Sequence, residues 1–570
     1  MASAREWAGA LLGGRQGTPG ALDVAGQPTL CLVFDPEEPL PRLLHDPPRR
    51  VAGDDLVRPW ERVEVPAHVV VNTLGGARLA PVLAAALRGG RTFHLVVAPG
   101  ASLTTNARGA LALTLTRGLQ RRLARLPGLE AACERALGLR LDWPRPALGP
   151  SLELARALAA RPVAALPAGP LRIVHVSGRL GPGGAERQLV QAARAAREAG
   201  HVVEVLTLTP LGGEDAVHVP ALRAFGVAPR ALRPLAPWEP APPDLELGPG
   251  LGAMCERHAA RELLLPLAAA LRELRPHVVH GWLDEPGLLA ALAGLLADAP
   301  RVVIGARNLN PSRIPRFDRP WFQGTWAALA GSPRAALSAN SRAAAADYAA
   351  WAGFPAARFA VVPNGVDLEP LVPLASAEDR ARERARLGLP EEGFLVGGLF
   401  RLAAMKRPGD WLAALAAAAA ELPGLHAVHV GSGPLLEEAR AQARRLGIDE
   451  RVRFLGHRER PQEVLRVCDA SLLASEAEGL PNAALESQAL EVPCVLTADG
   501  GAPEAILPGE TGLLAPLGDV AGLAAALVSL ARDPARRAAM GRAGRAHVQA
   551  RFSLAAAGAG TLTLYRGEAA

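Results

Sequence analysis

From Leu171 onward the chain repeats one pattern. Short, almost uninterrupted apolar runs end in Gly, Asn or Ser, and alanine-rich stretches of helical character follow them. The runs are IVHVSG (173–178), VEVLTL (203–208), HVVHGW (277–282), RVVIGAR (301–307), AALSAN (335–340) and FAVVPNG (359–365). They continue with FLVGGLFR (394–401), HAVHVGSG (426–433), VRFLG (452–456), ASLLAS (470–475) and PCVLTAD (493–499). A strand that is apolar on both faces has to be covered on both faces, and strands spaced by helices run parallel. These are too many strands for one doubly wound sheet of usual size. VVPNGVD (361–367), followed by the charged stretch AEDRARERARLG (377–388), looks like a joint. The expected fold class is therefore α/β, with two Rossmann-like domains facing each other over about 171–367 and 368–550.

Residues 1–150 carry a weaker pattern of the same kind. Strand candidates are TLCLVFD (29–35), HVVVNTL (68–74) and TFHLVVAPG (92–100), with helices expected over 78–89 and 105–126. This reads as a small α/β accessory domain. Proline density marks 151–170 as a linker around one short helix, and 233–250 as an insertion loop. No internal repeat of solenoid period occurs.

Composition sets outer limits. At roughly 100–200 residues per domain, 570 residues make three or four domains. Apolar residues at 49% and charged residues at 21% exclude a wholly disordered chain. No apolar stretch reaches the about 18 residues of a membrane helix, and MASAREWAGALLGGRQ at the start has no secretory pattern. Five scattered cysteines (Cys31, Cys133, Cys255, Cys468, Cys494) without a CxxC pair are read as reduced thiols of a cytoplasmic protein, not as a disulfide framework or zinc site. The charge is uneven: residues 1–170 hold 20 Arg against 14 acidic residues, while the remainder balances at 42 and 42. The excess is diluted, without basic runs or interleaved aromatics, so a nucleic-acid partner is not expected. Peripheral contact with an anionic membrane at the inner face of the cell stays open.

Four segments carry chemistry. Of 62 basic residues 61 are arginine, and the one lysine, Lys406, falls in Arg401-Leu-Ala-Ala-Met-Lys406 directly after a strand. Strand ends at the top of a parallel sheet are where ligands bind. An arginine fork with a lysine point charge suits a pyrophosphate. The second segment, Ser475 to Glu486, follows a strand and opens a helix whose free N–H groups can hold a phosphate. It contains Glu478, Gly479, Leu480, Asn482 and Glu486, and its carboxylates can accept hydrogen bonds from sugar hydroxyls. The third is Asp499-Gly500-Gly501-Ala-Pro-Glu504, whose glycines allow close approach of backbone to a ligand. The fourth, Gly181-Pro-Gly183-Gly184-Ala-Glu-Arg187, is a glycine-rich strand-to-helix loop without dinucleotide-fingerprint spacing.

In this order the segments GPGGAER, VVPNGVD, RLAAMK, FLGH, EGLPNAALE and GGAPEAI resemble the family-4 retaining glycosyltransferases of the GT-B fold, over about 171–566. The tail RFSLAAAGAGTLTLY is similar to the family's terminal helix, which crosses back to the N-terminal lobe and here falls in 551–570. The resemblance implies that 171–367 is the acceptor side and 368–550 the nucleotide-sugar side. It implies that Arg401 and Lys406 clamp the pyrophosphate, Glu478 faces the transferred sugar and Glu486 holds the ribose. Gly500 and Gly501 then lie beside sugar and phosphate, His457 and Arg458 near the base, and Gly183 and Gly184 over the cleft. Gly479, Leu480, Asn482 and Glu504 are counted with the substrate-binding residues. Where many relatives carry a histidine after the strand VVIGA, this chain has Arg307 and Asn308; these and His280 are the candidates for the sugar-side contact from the first lobe.

The expected activity is retaining transfer of a sugar from a nucleoside-diphosphate sugar to a glycan or lipid-linked acceptor, in surface polysaccharide or glycolipid biosynthesis. No DxD triad is present, so neither metal nor other cofactor is called for. A nucleotide-sugar epimerase and a catalytically silent scaffold of a glycan assembly complex are the alternatives.

Overall fold

The structure, a computed structural model, describes residues 151–234, 261–314 and 318–568, together with the backbone of six short strands nearer the N-terminus. Among those six, Ala21–Val24 pairs antiparallel with Gln27–Leu30. His68–Val71 lies parallel to His94–Val97, and the sheet continues antiparallel through Ala101–Thr105 and Leu111–Thr114. Within the helix expected over 105–126 a strand stands at Leu111–Thr114, where Leu111 and Leu113 alternate with Ala112 and Thr114 at the period of two that suits a pleated surface; 115–126 lie outside the described residues. The helix expected over 78–89 and the loop from 235 onward lie outside the described residues.

Residues 149–235 and 240–570 form one compact unit with two sheets. In the first lobe the strands are β1 (Arg172–Ser177), β2 (Val202–Thr207), β3 (Arg230–Ala231), β4 (Val278–Trp282), β5 (Arg301–Ala306), β6 (Ala335–Ala339) and β7 (Phe359–Val361). All pair parallel, in the order β7-β6-β5-β4-β1-β2-β3. The second lobe holds β8 (Phe394–Leu399), β9 (Leu425–Val430), β10 (Val452–Phe454), β11 (Ala470–Leu473), β12 (Cys494–Thr497) and β13 (Gly512–Ala515). They too are all parallel, in the order β10-β9-β8-β11-β12-β13.

The near-continuous apolar runs are explained by burial on both faces. Every residue of β4, β6, β11 and β12 is buried. Each sheet reverses its strand order once, between β1 and β4 in the first lobe and between β8 and β11 in the second. At such a reversal the loops leave in opposite directions and open a crevice at the carboxyl ends of the strands.

Two helices depart from a simple division of the chain. The stretch 151–170, read as a linker, contains α1 (Leu152–Ala159), capped by Ser151. Leu154, Ala155 and Leu158 of α1 are 0% exposed in the core of the first lobe. Its apolar residues recur at helical spacing, so prolines on either side delimit a core helix and not a free tether. At the other end, α8 (Leu554–Arg566) follows the second-lobe helix α7 (Pro534–Arg551) but packs on α2 (Gly184–Glu198) of the first lobe. Tyr565 is wholly buried there beside His280, and Arg566 bonds to the carbonyls of Pro167 and Gly169. The other helices that bear on the site are α5 (Arg342–Ala352) and α6 (Asn482–Ala489); α3 (Asp284–Leu296) and α4 (Phe322–Ala330) complete the first core.

Candidate active site

The crevice of the second sheet is walled by the loops after β8 and β11. The first ends in a single tight turn, Ala404–Lys406, after which Arg407 takes a left-handed conformation with φ 45°. Arg407 is held there by ion pairs to Asp410 at 2.7 Å and Glu476 at 3.1 Å. The second loop carries another left-handed residue, Ala477 with φ 61°, whose N–H donates to Asp499 Oδ2 at 2.7 Å. Such residues cost about 1–3 kcal/mol each and persist only where surrounding contacts enforce them. Here they flank Lys406 and Glu478, which form an ion pair with each other. Glu478 is buried in the process, whereas the Arg401 side chain is exposed and makes no bond among the described residues.

The chain then passes Gly479 and Leu480 into α6, which starts at Asn482 without a side-chain cap. Backbone packs on backbone throughout this turn. A Cβ at Gly501 would stand 1.6 Å from the Gly479 carbonyl oxygen, and Gly501 N–H donates to the Glu478 carbonyl at 2.8 Å. Gly500, with φ 55°, would bring a Cβ within 2.3 Å of the same Glu478 oxygen. From the first lobe, Asn308 bridges the Glu478 backbone, and a Cβ at Gly479 would fall 2.4 Å from the Arg307 carbonyl oxygen.

Across the cleft stands the glycine-rich loop after β1. Helix α2 begins at Gly184, also without a side-chain cap, and a Cβ at Gly184 would lie 2.7 Å from Asn482 Nδ2. Two uncapped helix starts, each with free N–H groups and the positive end of its dipole, therefore meet face to face. Arg187, in the first turn of α2, pairs with Glu486 of α6 at 2.6 Å. Asn364 Nδ2 donates to the Leu480 carbonyl at 3.0 Å and to Asn482 Oδ1 at 2.8 Å. Gln188 clasps both backbone groups of Gly365 at 2.9 and 2.8 Å.

The structure thus brings together Lys406, Glu478, Gly479, Leu480, Asn482, Glu486, Gly500, Gly501, Gly183, Gly184, Arg307 and Asn308. It does not bring all the sequence candidates to one point. His457 and Arg458 are exposed in the loop after β10. His280 is buried behind Trp282, bonded through Nδ1 to the Tyr565 hydroxyl, and is held well below the ordinary imidazole value by burial. Both oxygens of Glu504 accept from the N–H groups of Arg342 and Ala343, at 3.0 and 2.7 Å. That carboxylate caps α5 of the opposite lobe, so it holds the lobes together in this structure and does not face the cleft free. Among the described residues no three His, Cys, Asp or Glu side chains gather as metal ligands, and no helix is long and apolar enough to cross a membrane.

Gln188 and Asn364 were not singled out by sequence, and Arg187 and Asp499 stood only at the ends of glycine-rich segments with no role assigned. For Arg187 the signal is its place one turn after the paired glycines, but its partner lies about 300 residues away and appears only when the lobes close.

Two facing parallel-sheet lobes with this charged cleft define a GT-B glycosyltransferase fold. The profile described as "Glycosyltransferase Family 4" matches residues 182–370, and that described as "Glycosyl transferases group 1" matches 379–547. A D-inositol 3-phosphate glycosyltransferase of Segniliparus rotundus is 31% identical over 357 residues, covering 58% of this chain and 76% of that protein. The chain belongs to glycosyltransferase family 4. It is also similar to the Vi polysaccharide biosynthesis protein VipC/TviE of Salmonella typhi, 29% identical over 60% of this chain and 62% of that protein. The crystal structure of Anabaena HepE in complex with UDP and glucose superimposes with a TM-score of 0.57 at 23% identity, over 69% of this chain and 99% of that one. The chain spans between about half and three-fifths of the length of the first curated relatives it matches.

Proposed function

We propose that this chain is a retaining glycosyltransferase that needs no metal and moves a sugar from a nucleoside-diphosphate sugar to an acceptor hydroxyl. We place it at the cytoplasmic side of surface polysaccharide or glycolipid assembly. The observation that carries the reading is the meeting of two uncapped helix starts, at Gly184 and Asn482, between Lys406 and Arg187. Two helix dipoles and two cations converge on this gap, balanced by Glu478, Glu486 and the buried Glu186, and a diphosphate can take the place of those carboxylates on the cations. The UDP and glucose held by HepE support the same donor class.

Negative charge grows on the leaving diphosphate as the glycosidic bond breaks. Lys406 and the start of α6 are held in place to meet it, with the exposed Arg401 side chain free to swing in, and such preorganised electrostatics is usually the largest catalytic contribution. The same positive groups do the work a metal ion does elsewhere. On donor binding Lys406 exchanges Glu478 for phosphate oxygens, which leaves Glu478 to face the sugar. Glu486 accepts from the ribose hydroxyls. The acceptor proton passes to the leaving phosphate on the same face of the sugar, so no separate base is required. Residues 1–150, with 18 Arg against 13 acidic residues, help engage the acceptor or an anionic membrane surface.

The test is a panel of UDP-, GDP- and ADP-sugars. A true donor at 100 times its dissociation constant should stabilise the chain by about 2.7 kcal/mol. With acceptor it should release nucleoside diphosphate and keep the anomeric configuration of the donor. An epimerase would return a nucleotide sugar, and a silent scaffold would release nothing.

A further inference from the structure

Arg307 is a cation without a counter-ion. It leaves β5 at the cleft, and its guanidinium lies over the Trp282 ring at 4.5 Å. Its one side-chain hydrogen bond among the described residues runs from Nη1 to Asn364 Oδ1 at 3.3 Å. Nε is buried without a partner. No carboxylate comes within ion-pair distance, since Glu478, which the next residue bridges, is engaged by Lys406.

The groups around it supply no negative charge. Trp282 is also stacked with the His280 ring, at 4.4 Å. His280 and His175 are both kept neutral by burial, His175 with its imidazole pushed down to about 3. The Tyr565 phenol is pushed up by burial and stays protonated. Burial alone pushes the Arg307 guanidinium down to about 10. Arg307 is half-buried with its Nε wholly covered, and a cation drawn that far out of water is ordinarily paired. Beside Arg307 a narrow opening is lined by Gln188, Gln191, Trp282, Pro363 and Thr561. It lies on the first lobe, away from Lys406 on the second.

We infer that Arg307 is the receptor for an anionic group of the acceptor, a phosphate or a carboxylate, so that the acceptor of this enzyme is negatively charged next to the hydroxyl that receives the sugar. The inference rests on the transferase reading above and adds the acceptor's chemical class. Nη2, which no hydrogen bond among the described residues engages, can donate to either oxyanion, while Nε is buried and does not reach it. The unpaired charge is then a binding feature held at the expense of stability in the free protein.

The full chain, saturated with the nucleoside diphosphate it binds, is titrated with inorganic phosphate and followed by thermal shift. Saturation removes the donor cleft as a phosphate site. Wild type should show a further, saturable phosphate stabilisation. Arg307→Met should lose it and keep nucleoside-diphosphate affinity within about threefold. Arg307→Gln gives the same comparison should the methionine variant fold poorly. An equal phosphate response in the variants, or no response in wild type, overturns the inference. So does a loss of nucleoside-diphosphate affinity as large as that of Lys406→Ala, since the anion would then be the donor's own diphosphate. Failure of wild type to bind any nucleoside diphosphate would instead overturn the donor assignment itself.

Discussion

The Arg187 guanidinium of the first lobe lies 2.6 Å from the Glu486 carboxylate of the second. The pair joins the two lobes across the cleft, and in the function proposed above the same carboxylate would also accept from the ribose hydroxyls. Glu486 is buried and Arg187 is 41% exposed at its side chain.

Loss of Glu486 should therefore be felt first in nucleotide affinity. Charge-assisted hydrogen bonds are worth about 1.5–3 kcal/mol. Glu486→Ala should weaken free nucleoside diphosphate by about 10- to 100-fold. Arg187 acts through Glu486, and an exposed ion pair adds at most about 1 kcal/mol. Arg187→Ala should cost about fivefold or less by that figure, and the double variant should bind no worse than Glu486→Ala alone. Calorimetry showing additive losses would mean that Arg187 contacts the nucleotide independently.

The pH dependence of stability should follow buried imidazoles. His175 and His280 are 0% and 1% exposed, with burial lowering the first to about 3 and the second well below 6.5. His429 is lowered to about 4 by the same cause. The unfolded chain protonates each near the ordinary value of about 6.5. Stability is thus complete above that value and lost as pH falls toward the depressed folded values. For the His175–His280 pair the loss approaches about 3 kcal/mol per pH unit. Urea midpoints should drop steadily from pH 7 to pH 5; a flat or rising profile would contradict the neutral assignment.

The two lobes were legible because each apolar run has to be buried on both faces, which only a covered parallel sheet provides. The Glu478-to-Glu486 segment was legible from the strand before it and the helix start within it. Glu504 was not. Its run of glycines looked like a ligand loop, but its carboxylate caps a helix more than 150 residues earlier in the chain. Arg187 was hidden for the same reason, since its partner is fixed by how the lobes dock and not by local spacing. The short helix in 151–170 was legible, but the flanking prolines made it look like part of a linker; that its four buried positions belong to the first core appears only against α3 and α4.

That last difference can be measured by truncation. A chain beginning at Gly149 keeps α1, whereas one beginning at Pro162 removes Leu154 and Leu158 from the core. Emptying a buried leucine site costs about 2–5 kcal/mol. The shorter chain should unfold at markedly lower denaturant, while the longer one should bind nucleoside diphosphate like the full chain. Equal midpoints would return α1 to the role of a tether.

The most direct test of the account is the rate of nucleoside-diphosphate release from the best sugar donor by Lys406→Ala beside wild type. Lys406 is the single lysine of the chain, in contact with Glu478 at the reversal point of the second sheet. The account predicts a fall of about 10²-fold or more, the order seen when a partner of transition-state charge is removed. Release at the wild-type rate would contradict it.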